Sequence, residues 1–412
     1  MTTTRSEFPP SRSSCTRRRF LAHTGAATVS ATLLNSALVR GAPAGGKIAL
    51  GLVGCGGRGR WLARLFRKHG GYEVAAVADY FPERSARAGA EFGVPEGRRF
   101  SGLNGYLRLL EQPVDAVAII SPPYFHPAQA AAAVAAGKHV YLAKPIAVDV
   151  PGCLSVARSG QDATAAGRVF LVDFQTRASK DYQEVVRRVR AGQIGEVICG
   201  EAGYHCGPTF TRLKDVLRGR ERDPETRLRA WGVDRVLSGD VITEQNIHAL
   251  DVACWFLDDA PVAARGTGGR ARSFGTCWDH FSVIFQFPGN RVVTFNSKQL
   301  GHGYDDIMCR IYGAEGTADT HYFGRVTLSA KQDGFHGGTP DLYQAGAVAN
   351  IAAFCDAVRK GDCANATVPE SVRSNLTTIL GRTAAYARRE VTWREMMSEA
   401  ERWEFDLSGL KG

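Results

Sequence analysis

The stretch that decides the fold is residues 47–79, KIALGLVGCGGRGRWLARLFRKHGGYEVAAVAD, within a chain of 412 residues. It reads as an apolar strand, the glycines Gly54, Gly56 and Gly59, a helix, and a second strand that ends at Asp79. Glycines at this spacing allow a tight turn, close approach of a pyrophosphate to the backbone, and close packing of helix on strand. Asp79 stands 20 residues after Gly59, where a carboxylate accepts hydrogen bonds from adenosine ribose hydroxyls. The stretch therefore predicts a dinucleotide-binding βαβ unit.

Strand and helix patterns keep alternating from residue 79 to about residue 145, as in a parallel sheet with crossover helices. An apolar run ends at Ser121, an alanine-rich helix follows over 128–136, and the next strand leads to Lys144. Ligands in open α/β sheets bind beyond the carboxyl ends of the strands. The cofactor contacts predicted by this rule and by the glycine turn are Gly54, Gly56, Gly57, Arg58, Gly59, Asp79, Ser121, His126, Lys144 and Gln175.

The second half of the chain has the period of antiparallel strands. Phenylalanine and valine alternate with polar residues over 281–287, a Pro-Gly-Asn turn follows, and the strand pattern resumes over 292–295. This pattern predicts a hairpin with one buried face. Further strands are predicted over 197–204, 306–312 and 326–329, and a core helix over 372–383.

Together these motifs resemble the Gfo/Idh/MocA oxidoreductases over essentially the whole chain after residue 44. The resemblance is carried by the glycine turn, by SPPYFH at 121–126, by AKP at 143–145 and by EQNIHALD at 244–251. It implies an α/β protein with a Rossmann domain at 45–174 and a C-terminal α/β domain at 175–412, which is built on a large, mainly antiparallel sheet. It also implies NAD or NADP as the cofactor and association into a homo-oligomer.

The resemblance also implies the site residues. Lys144 matches a catalytic lysine, although Ala143 stands where the family has glutamate in a Glu-Lys-Pro signature. Glu244 and His248 match an acid-xxx-His motif that implies a general base. Positions that match substrate or cofactor contacts more weakly are Gln175, Arg177, Tyr204 and His205.

Spacing supports the base independently of the resemblance. Asp240, Glu244 and His248 are four residues apart in a run that looks helical, so they are expected along one face, with Asp240 as a candidate substrate contact. A carboxylate beside an imidazole orients it and raises its basicity. The charged stretch 211–229 favours a solvated loop over a substrate lid, and Trp231 at its end is a candidate to line the substrate pocket.

Residues 1–44 have the pattern of a twin-arginine signal peptide. The pattern consists of TRRRFL at 16–21, a weakly apolar run over 22–39, and small residues at 42–44; a disordered basic tail is the alternative. The segment predicts export of the folded protein by the twin-arginine machinery to a periplasm. Without it, the net charge of +10 falls to +5, which does not imply a nucleic-acid partner. No later apolar run approaches the roughly 20 residues that span a bilayer.

The ten cysteines show neither a paired framework nor a metal-ligand spacing, so no disulfide and no metal site is predicted. A metal site formed by His205, Cys206, Glu244 and His248 is the alternative by ligand type.

These observations predict an NAD(P)-dependent oxidoreductase acting on a hydroxyl of a sugar, sugar derivative or cyclitol. Asp79 favours NAD because a carboxylate repels a 2′-phosphate, whereas Arg58, Arg60 and Arg84 keep NADP open. Export implies a tightly bound cofactor that is regenerated within each cycle. The alternatives are an NAD-dependent glycoside hydrolase that works by transient oxidation and elimination, and, because of Ala143, a cofactor-binding protein without turnover.

Overall fold

A computed structural model describes residues 46–412 of the protein, so the predicted signal peptide at 1–44 lies outside the described residues. The first part of the chain alternates strands and helices as the sequence predicts. Its strands are β1 (Ile48–Val53), β2 (Tyr72–Asp79), β3 (Arg99–Ser101), β4 (Ala116–Ile119), β5 (His139–Ala143) and β6 (Phe170–Asp173). Its helices are α1 (Gly57–His69), α2 (Pro82–Phe92), α3 (Gly105–Leu110), α4 (His126–Ala135) and α5 (Val150–Ala165). The strands form a parallel sheet in the order β3-β2-β1-β4-β5-β6, which is the doubly wound arrangement of a Rossmann domain.

The rest of the chain builds a second, larger sheet. Its strands are β7 (Val197–Cys206), β8 (Ala263–Gly269), β9 (His280–Phe287), β10 (Arg291–Gln299), β11 (Asp306–Gly313), β12 (Gly316–His321), β13 (Arg325–Ala330), β14 (Phe335–Gly338) and β15 (Glu390–Thr392). Its helices are α6 (Lys180–Arg190), α7 (Leu213–Leu217), α8 (Pro224–Arg229), α9 (Arg235–Ser238), α10 (Val241–Glu244), α11 (Ile247–Leu257), α12 (Leu342–Lys360), α13 (Thr367–Ala387) and α14 (Trp393–Glu399).

The nine strands have the order β14-β13-β12-β11-β7-β10-β9-β8-β15. Only β7 and β10 pair in parallel, and the other neighbours are antiparallel. The predicted fold class, a Rossmann domain followed by an α/β domain with a mainly antiparallel sheet, is confirmed.

One face of the second sheet is buried against helices. The predicted hairpin is formed by β9 and β10, and Phe281, Val283, Phe285 and Phe287 lie in the core. Gly381 of α13 lets that helix lie close to the sheet, since a Cβ there would stand 2.5 Å from the ring of Phe285. The opposite face is partly exposed and mainly polar, with Ser282, Gln286 and Asn296, although Ile284 also lies on it.

Helix α12 joins the two predicted domains. It follows the last hairpin of the second sheet, yet its Phe354 packs against Tyr72 and Tyr141 of the parallel sheet, with ring centroids 6.5 and 5.7 Å apart. The predicted boundary at 174/175 falls directly after β6, but residues 342–360 contribute to the core of the first sheet.

Among residues 46–412, the nine cysteines are all free thiols, and no group of three or more metal-binding side chains stands together. In the same part of the chain, no helix is both long enough and apolar enough to cross a membrane.

Candidate active site

The glycine turn between β1 and α1 is shaped to hold a phosphate. Gly54 has φ of +93°, and a Cβ there would lie 2.6 Å from the main chain at Ile120. A Cβ at Gly59 would lie 1.8 Å from the carbonyl oxygen of Gly54, so only glycine permits this packing. Gly56 and Gly57, in contrast, face open space, and the first turn of α1 has no side-chain cap and no acidic residue. The open N-terminus of α1 therefore fits the pyrophosphate of a dinucleotide.

Asp79 connects the glycine turn to the adenosine end of the site. Its carboxylate accepts hydrogen bonds from the main-chain amides of Cys55 (2.7 Å) and Phe81 (2.9 Å). Burial raises the pKa of Asp79. The carboxylate borders a cavity between β1, β2 and β4, which Gly54 and Ser121 also line. Apolar side chains complete this cavity as an adenosine pocket would require: Phe81, Tyr106, Phe125 and Leu228.

Helix α8 packs over this end of the site. Arg229 forms an ion pair with Glu83 of α2, 2.8 Å from Nη1 to Oε1, and its guanidinium lies 3.8 Å from the ring of Phe81. The preference for a solvated loop over 211–229 is therefore wrong for α8, although residues 218–223 are exposed. Trp231 is also placed differently from its prediction, since it borders a cavity beside the glycine turn. Arginines line that cavity and suit cofactor phosphates: Arg60, Arg84, Arg87, Arg212 and Arg229.

Lys144 follows β5 directly, and Glu244 holds its ammonium. Nζ donates to the main-chain carbonyl of Glu244 at 2.5 Å and lies 3.7 Å from the carboxylate Oε1. Burial lowers the pKa of Lys144, and the charge of Glu244 opposes this shift. Ala143 therefore does not leave Lys144 without an acidic partner, because α10 supplies one.

His248 lies in the first turn of α11 with a buried imidazole. Its ring packs edge-on against Tyr322, with centroids 5.2 Å apart, and Nδ1 is buried without a hydrogen-bond partner in the described part of the chain. Burial, followed by the charges of Lys144 and Arg58, holds the pKa of His248 well below its usual value. The imidazole is thus neutral and able to accept a proton.

The predicted shared face of Asp240, Glu244 and His248 does not form. Helix α10 ends at Glu244 and α11 begins at Ile247, so the run is broken between them. Asp240 caps α10 and is fully buried, with its carboxylate accepting from Val241 N (2.6 Å) and from the Tyr386 hydroxyl (2.5 Å). Its assignment as a substrate contact is wrong. Glu244 pairs with Lys144 and makes no hydrogen bond to His248.

Gln175 and Arg177, which follow β6, have different environments. Arg177 donates Nε and Nη2 to Asp251 at 2.9–3.1 Å and Nη1 to Glu370, so its predicted substrate contact is wrong because its nitrogens are already bonded. Gln175 is fully buried; its Oε1 accepts from the Tyr322 hydroxyl at 3.4 Å, and its Nε2 has no partner among residues 46–412. Gln175 therefore stays in the site, with a free donor.

His126 joins the loops after β4 and β5 and does not line the adenosine cavity. Its ring nitrogens lie 2.8 Å from the carbonyl oxygens of Pro145 and Ser121, and burial lowers the pKa of His126 to about 4. Each ring nitrogen thus faces a carbonyl oxygen within the protein, which leaves neither nitrogen for direct cofactor contact. Ser121 donates from Oγ to Gln129 at 2.5 Å and borders the adenosine cavity.

Tyr204 and His205 point to opposite faces of β7. Tyr204 lies on the inner face in register with Ser297, and burial, with the nearby charge of Glu244, raises its pKa. His205 lies on the outer face in register with Asp306. The predicted substrate contact of His205 is therefore wrong, and the alternative metal site is not assembled.

The structure adds residues that the sequence did not indicate. Tyr322, after β12, contacts both His248 and Gln175, and no motif marks it. Asp173 ends β6 and binds Arg58 at 2.8 Å. The same strand-end rule that selected Ser121 and Lys144 would have found Asp173.

The protein was compared with families of known proteins. The family described as oxidoreductase family, NAD-binding Rossmann fold, matches residues 48–174, and the GFO/IDH/MocA C-terminal domain matches residues 182–319. Inositol 2-dehydrogenase 3 of Saccharopolyspora erythraea is 28% identical over 277 residues, covering 66% of this chain and 72% of the relative.

Solved structures share the fold at low identity. The aldose-aldose oxidoreductase from Caulobacter crescentus complexed with glycerol has a TM-score of 0.65 at 21% identity, covering 84% of this chain and 99% of that one. An oxidoreductase from Agrobacterium radiobacter in complex with NAD+, L-tartaric acid and magnesium has a TM-score of 0.67 at 16% identity, covering 85% and 99%. With both family domains matched in succession over the two sheets, the chain belongs to the Gfo/Idh/MocA oxidoreductase family and carries its NAD-binding Rossmann domain.

Proposed function

We propose that this oxidoreductase oxidises a hydroxyl group of a sugar, sugar derivative or cyclitol. The observation that supports the proposal most is that His248 packs against Phe174, directly after β6, while Lys144 follows the neighbouring β5 with its ammonium held by Glu244. The inositol dehydrogenases and the aldose-aldose oxidoreductase among its relatives support a polyhydroxylated substrate.

The proposed mechanism gives each residue one task. Bound NAD supplies the hydride acceptor. His248 accepts the hydroxyl proton, and the ammonium of Lys144 stabilises the developing alkoxide. Glu244 positions Lys144 through its carbonyl and carboxylate oxygens. The free Nε2 of Gln175 and the hydroxyl of Tyr204 are available to bind other hydroxyl groups of the substrate.

We further propose that the cofactor is tightly held. An apolar cluster at the adenosine end, which we call the clasp, joins the Rossmann domain to residues 224–237 and 403–411. Its members are Tyr80, Phe81, Tyr124, Phe125, Leu228, Trp231, Val236, Leu237, Phe405 and Leu410. Main-chain amides donate hydrogen bonds that fasten it: Phe405 N donates to the Tyr124 hydroxyl at 3.2 Å, and Leu103 N donates to the Lys411 carbonyl at 2.9 Å.

Retention of the cofactor fits the export proposed from residues 1–44. A protein that leaves the cytoplasm folded would carry its dinucleotide with it, so the hydride removed from one sugar would have to pass to a second sugar, or return to the same one, within one cycle. Asp79 supports NAD, and the arginine-lined cavity leaves NADP as the alternative. The polar outer face of the second sheet is where we propose that homo-oligomers form.

A direct experiment tests the main proposal. The purified protein is denatured and the released dinucleotide is quantified, and the intact protein is then assayed for reduction of bound cofactor with a panel of sugars and cyclitols. His248→Ala is expected to lower kcat by about 10²- to 10⁴-fold with the cofactor retained. The control His336→Ala changes an exposed histidine on β14 and is expected to leave kcat unchanged. Equal activity of His248→Ala and the wild type would refute the assignment of the base.

A glycoside hydrolase acting by transient oxidation is the second candidate. The observation that favours it is the contact of Tyr322 with His248, with ring centroids 5.2 Å apart, which places a hydroxyl donor close to the neutral base. Elimination of an aglycone needs both an acid and a base. Aryl glycosides assayed in heavy water decide between the candidates, because aglycone release with exchange at the neighbouring carbon indicates the hydrolase.

A further inference from the structure

Asp173 is a fully buried carboxylate at the active-site end of β6. One oxygen accepts from Nη2 of Arg58 and the other from Nδ2 of Asn350, both at 2.8 Å. Asp173 pairs in register with Ala143 of β5, so the two side chains lie on the same face of adjacent strands. The carboxylate therefore stands one strand away from the position that directly precedes Lys144.

Arg58 extends from the first turn of α1 to β6. Its guanidinium lies beside the stacked rings of Trp61 and Tyr343, 5.6 and 5.3 Å from their centroids, and Nη1 donates to the Tyr343 hydroxyl at 2.8 Å. Its Nε is buried without a partner in the described part of the chain. Arg58 thus connects the glycine turn, which sequence patterns link to the cofactor phosphates, with β6 and α12.

The site contains two cations and two carboxylates that form separate pairs. Lys144 is held by Glu244, and Arg58 is held by Asp173. Burial lowers the pKa of Lys144, and the charge of Asp173 opposes this shift. The charge of Arg58 adds to the lowering of the pKa values of both Lys144 and His248. Removing one buried partner of such a pair leaves an uncompensated charge, which then rearranges.

We propose that Asp173 is a positioning residue of the active site, which fixes the guanidinium of Arg58 at the end of β6, one strand away from Lys144. The inference rests on the proposed hydride-transfer function. Burial is the main cause of the lowered pKa of His248, the charge of Arg58 adds to it, and Asp173 sets the place of that charge. The groups that face His248 are Lys144 after β5, Arg58 on α1, Phe174 after β6 and Tyr322 after β12.

A double-mutant cycle tests whether Asp173 acts through Arg58. Asp173→Asn is expected to lower kcat about 100-fold, the size of effect that follows a displaced catalytic group. In an Arg58→Met background the same change is expected to lower kcat less than threefold, because its partner is absent. Effects that multiply independently would overturn the proposal. Cofactor content and Tm are measured for every variant, and Arg58→Gln, which also removes the charge, replaces Arg58→Met if the latter does not fold.

A second measurement does not require turnover. Histidine NMR titration of the NAD-loaded protein, with His248 assigned from a His248→Asn variant, is expected to show a higher pKa for His248 in the Arg58→Met, Asp173→Asn double variant. An unchanged titration would overturn the role of Arg58. If the wild type oxidises no polyol, the proposed function fails, whereas the titration still tests the positioning.

Asp115→Asn is the matched control. Asp115 is also a carboxylate of the parallel sheet and accepts a hydrogen bond from Ala49 N at 2.8 Å, but it lies at the end of the sheet opposite to Asp173. It is expected to leave kcat and the His248 titration unchanged. If Asp115→Asn lowers kcat as much as Asp173→Asn, the effect is general destabilisation and the proposal is refuted.

Discussion

His248 has an environment that favours the neutral imidazole over the charged one. Its ring is buried beside Tyr322 and Phe174, and the nearest charges that act on it are the cations Lys144 and Arg58. Desolvation and like charge both lower the pKa of an imidazole. A base in this setting is ready to accept a proton at neutral pH without first losing one.

This environment predicts the pH dependence of the reaction. A lowered pKa keeps His248 unprotonated, and therefore active as a base, well below pH 6.5. We expect kcat/KM to stay level as the pH falls from 7.5 to 6, and to decline only at lower pH. Initial rates measured across this range in buffers of constant ionic strength provide the test. A decline centred near pH 6.5 would contradict the proposed environment.

The raised pKa of Asp240 predicts that the stability of the protein depends on pH. Burial raises the pKa of Asp240 to about 6, above the unfolded value of 3.8. A group whose pKa is raised by folding contributes most to the free energy of unfolding at a pH below its unfolded pKa. This stabilising contribution is lost as the pH rises through the folded pKa. The free energy of unfolding of the wild type, relative to Asp240→Asn, should thus fall by up to about 3 kcal/mol between pH 4 and pH 7. Urea titrations of both proteins measure this difference.

Asp362→Asn, at an exposed position after α12, is the control for that comparison and should show no such pH dependence relative to the wild type. A wild-type difference from Asp240→Asn that is constant from pH 4 to pH 7 would show that Asp240 is not held at a raised pKa.

At the scale of elements, strand ends and the break between α10 and α11 explain why the sequence predicted some site residues correctly and others wrongly. Lys144 and Ser121 follow strand ends, and their positions depend only on strand order in the parallel sheet, which the alternation of elements indicates. The shared face of Asp240, Glu244 and His248 required an unbroken helix. A distant strand contacts the break, since Gln299 at the end of β10 donates to the side chain of Gln245.

The sequence likewise did not predict the contacts that Tyr322 and Asp173 make with distant elements. Tyr322 reaches His248 only because the antiparallel sheet packs its inner face against α11, and local periodicity does not determine that packing. Asp173 could be recognised as a strand-end acid, but its partner Arg58 is 115 residues away in sequence. Side-chain pairs between elements thus required the three-dimensional structure.

The contact of Gln299 with the break is itself testable. Gln299→Leu removes the hydrogen bonds to Gln245 and Thr209 and leaves buried polar groups without partners, which costs about 1–3 kcal/mol. We expect a lower Tm and a lower kcat, because Glu244 and His248 flank the break, with cofactor content unchanged. Thermal unfolding and kcat are measured together. Gln286→Leu, at an exposed position on β9, is the control, and equal effects of both changes would contradict the assigned role.

At the scale of the whole molecule, the clasp connects parts of the chain that are far apart in sequence. Phe405 of the C-terminal segment packs with Phe81 and Leu228, and the guanidinium of Arg227 lies 4.6 Å from the Phe405 ring. Trp403 N donates to Asp149 at 2.9 Å on the Rossmann domain. Escape of the adenosine end would therefore require separation of these contacts, which couples cofactor release to opening of the C-terminal segment.

The substitution Phe405→Ala tests how strongly the clasp retains the cofactor. Phe405 is 4% exposed, and removing its ring deletes the contact that joins residues 403–411 to α8. We expect the rate of NAD release to rise at least about tenfold, since the loss of 1.4 kcal/mol or more from the closed state is well within the cost of deleting a buried phenylalanine. NAD that remains bound after timed gel filtration measures the rate. Leu407→Ala, at a side chain that is 38% exposed and outside the cluster, should release NAD at the wild-type rate. Equal release from Phe405→Ala and the wild type would show that retention, if present, depends on other contacts.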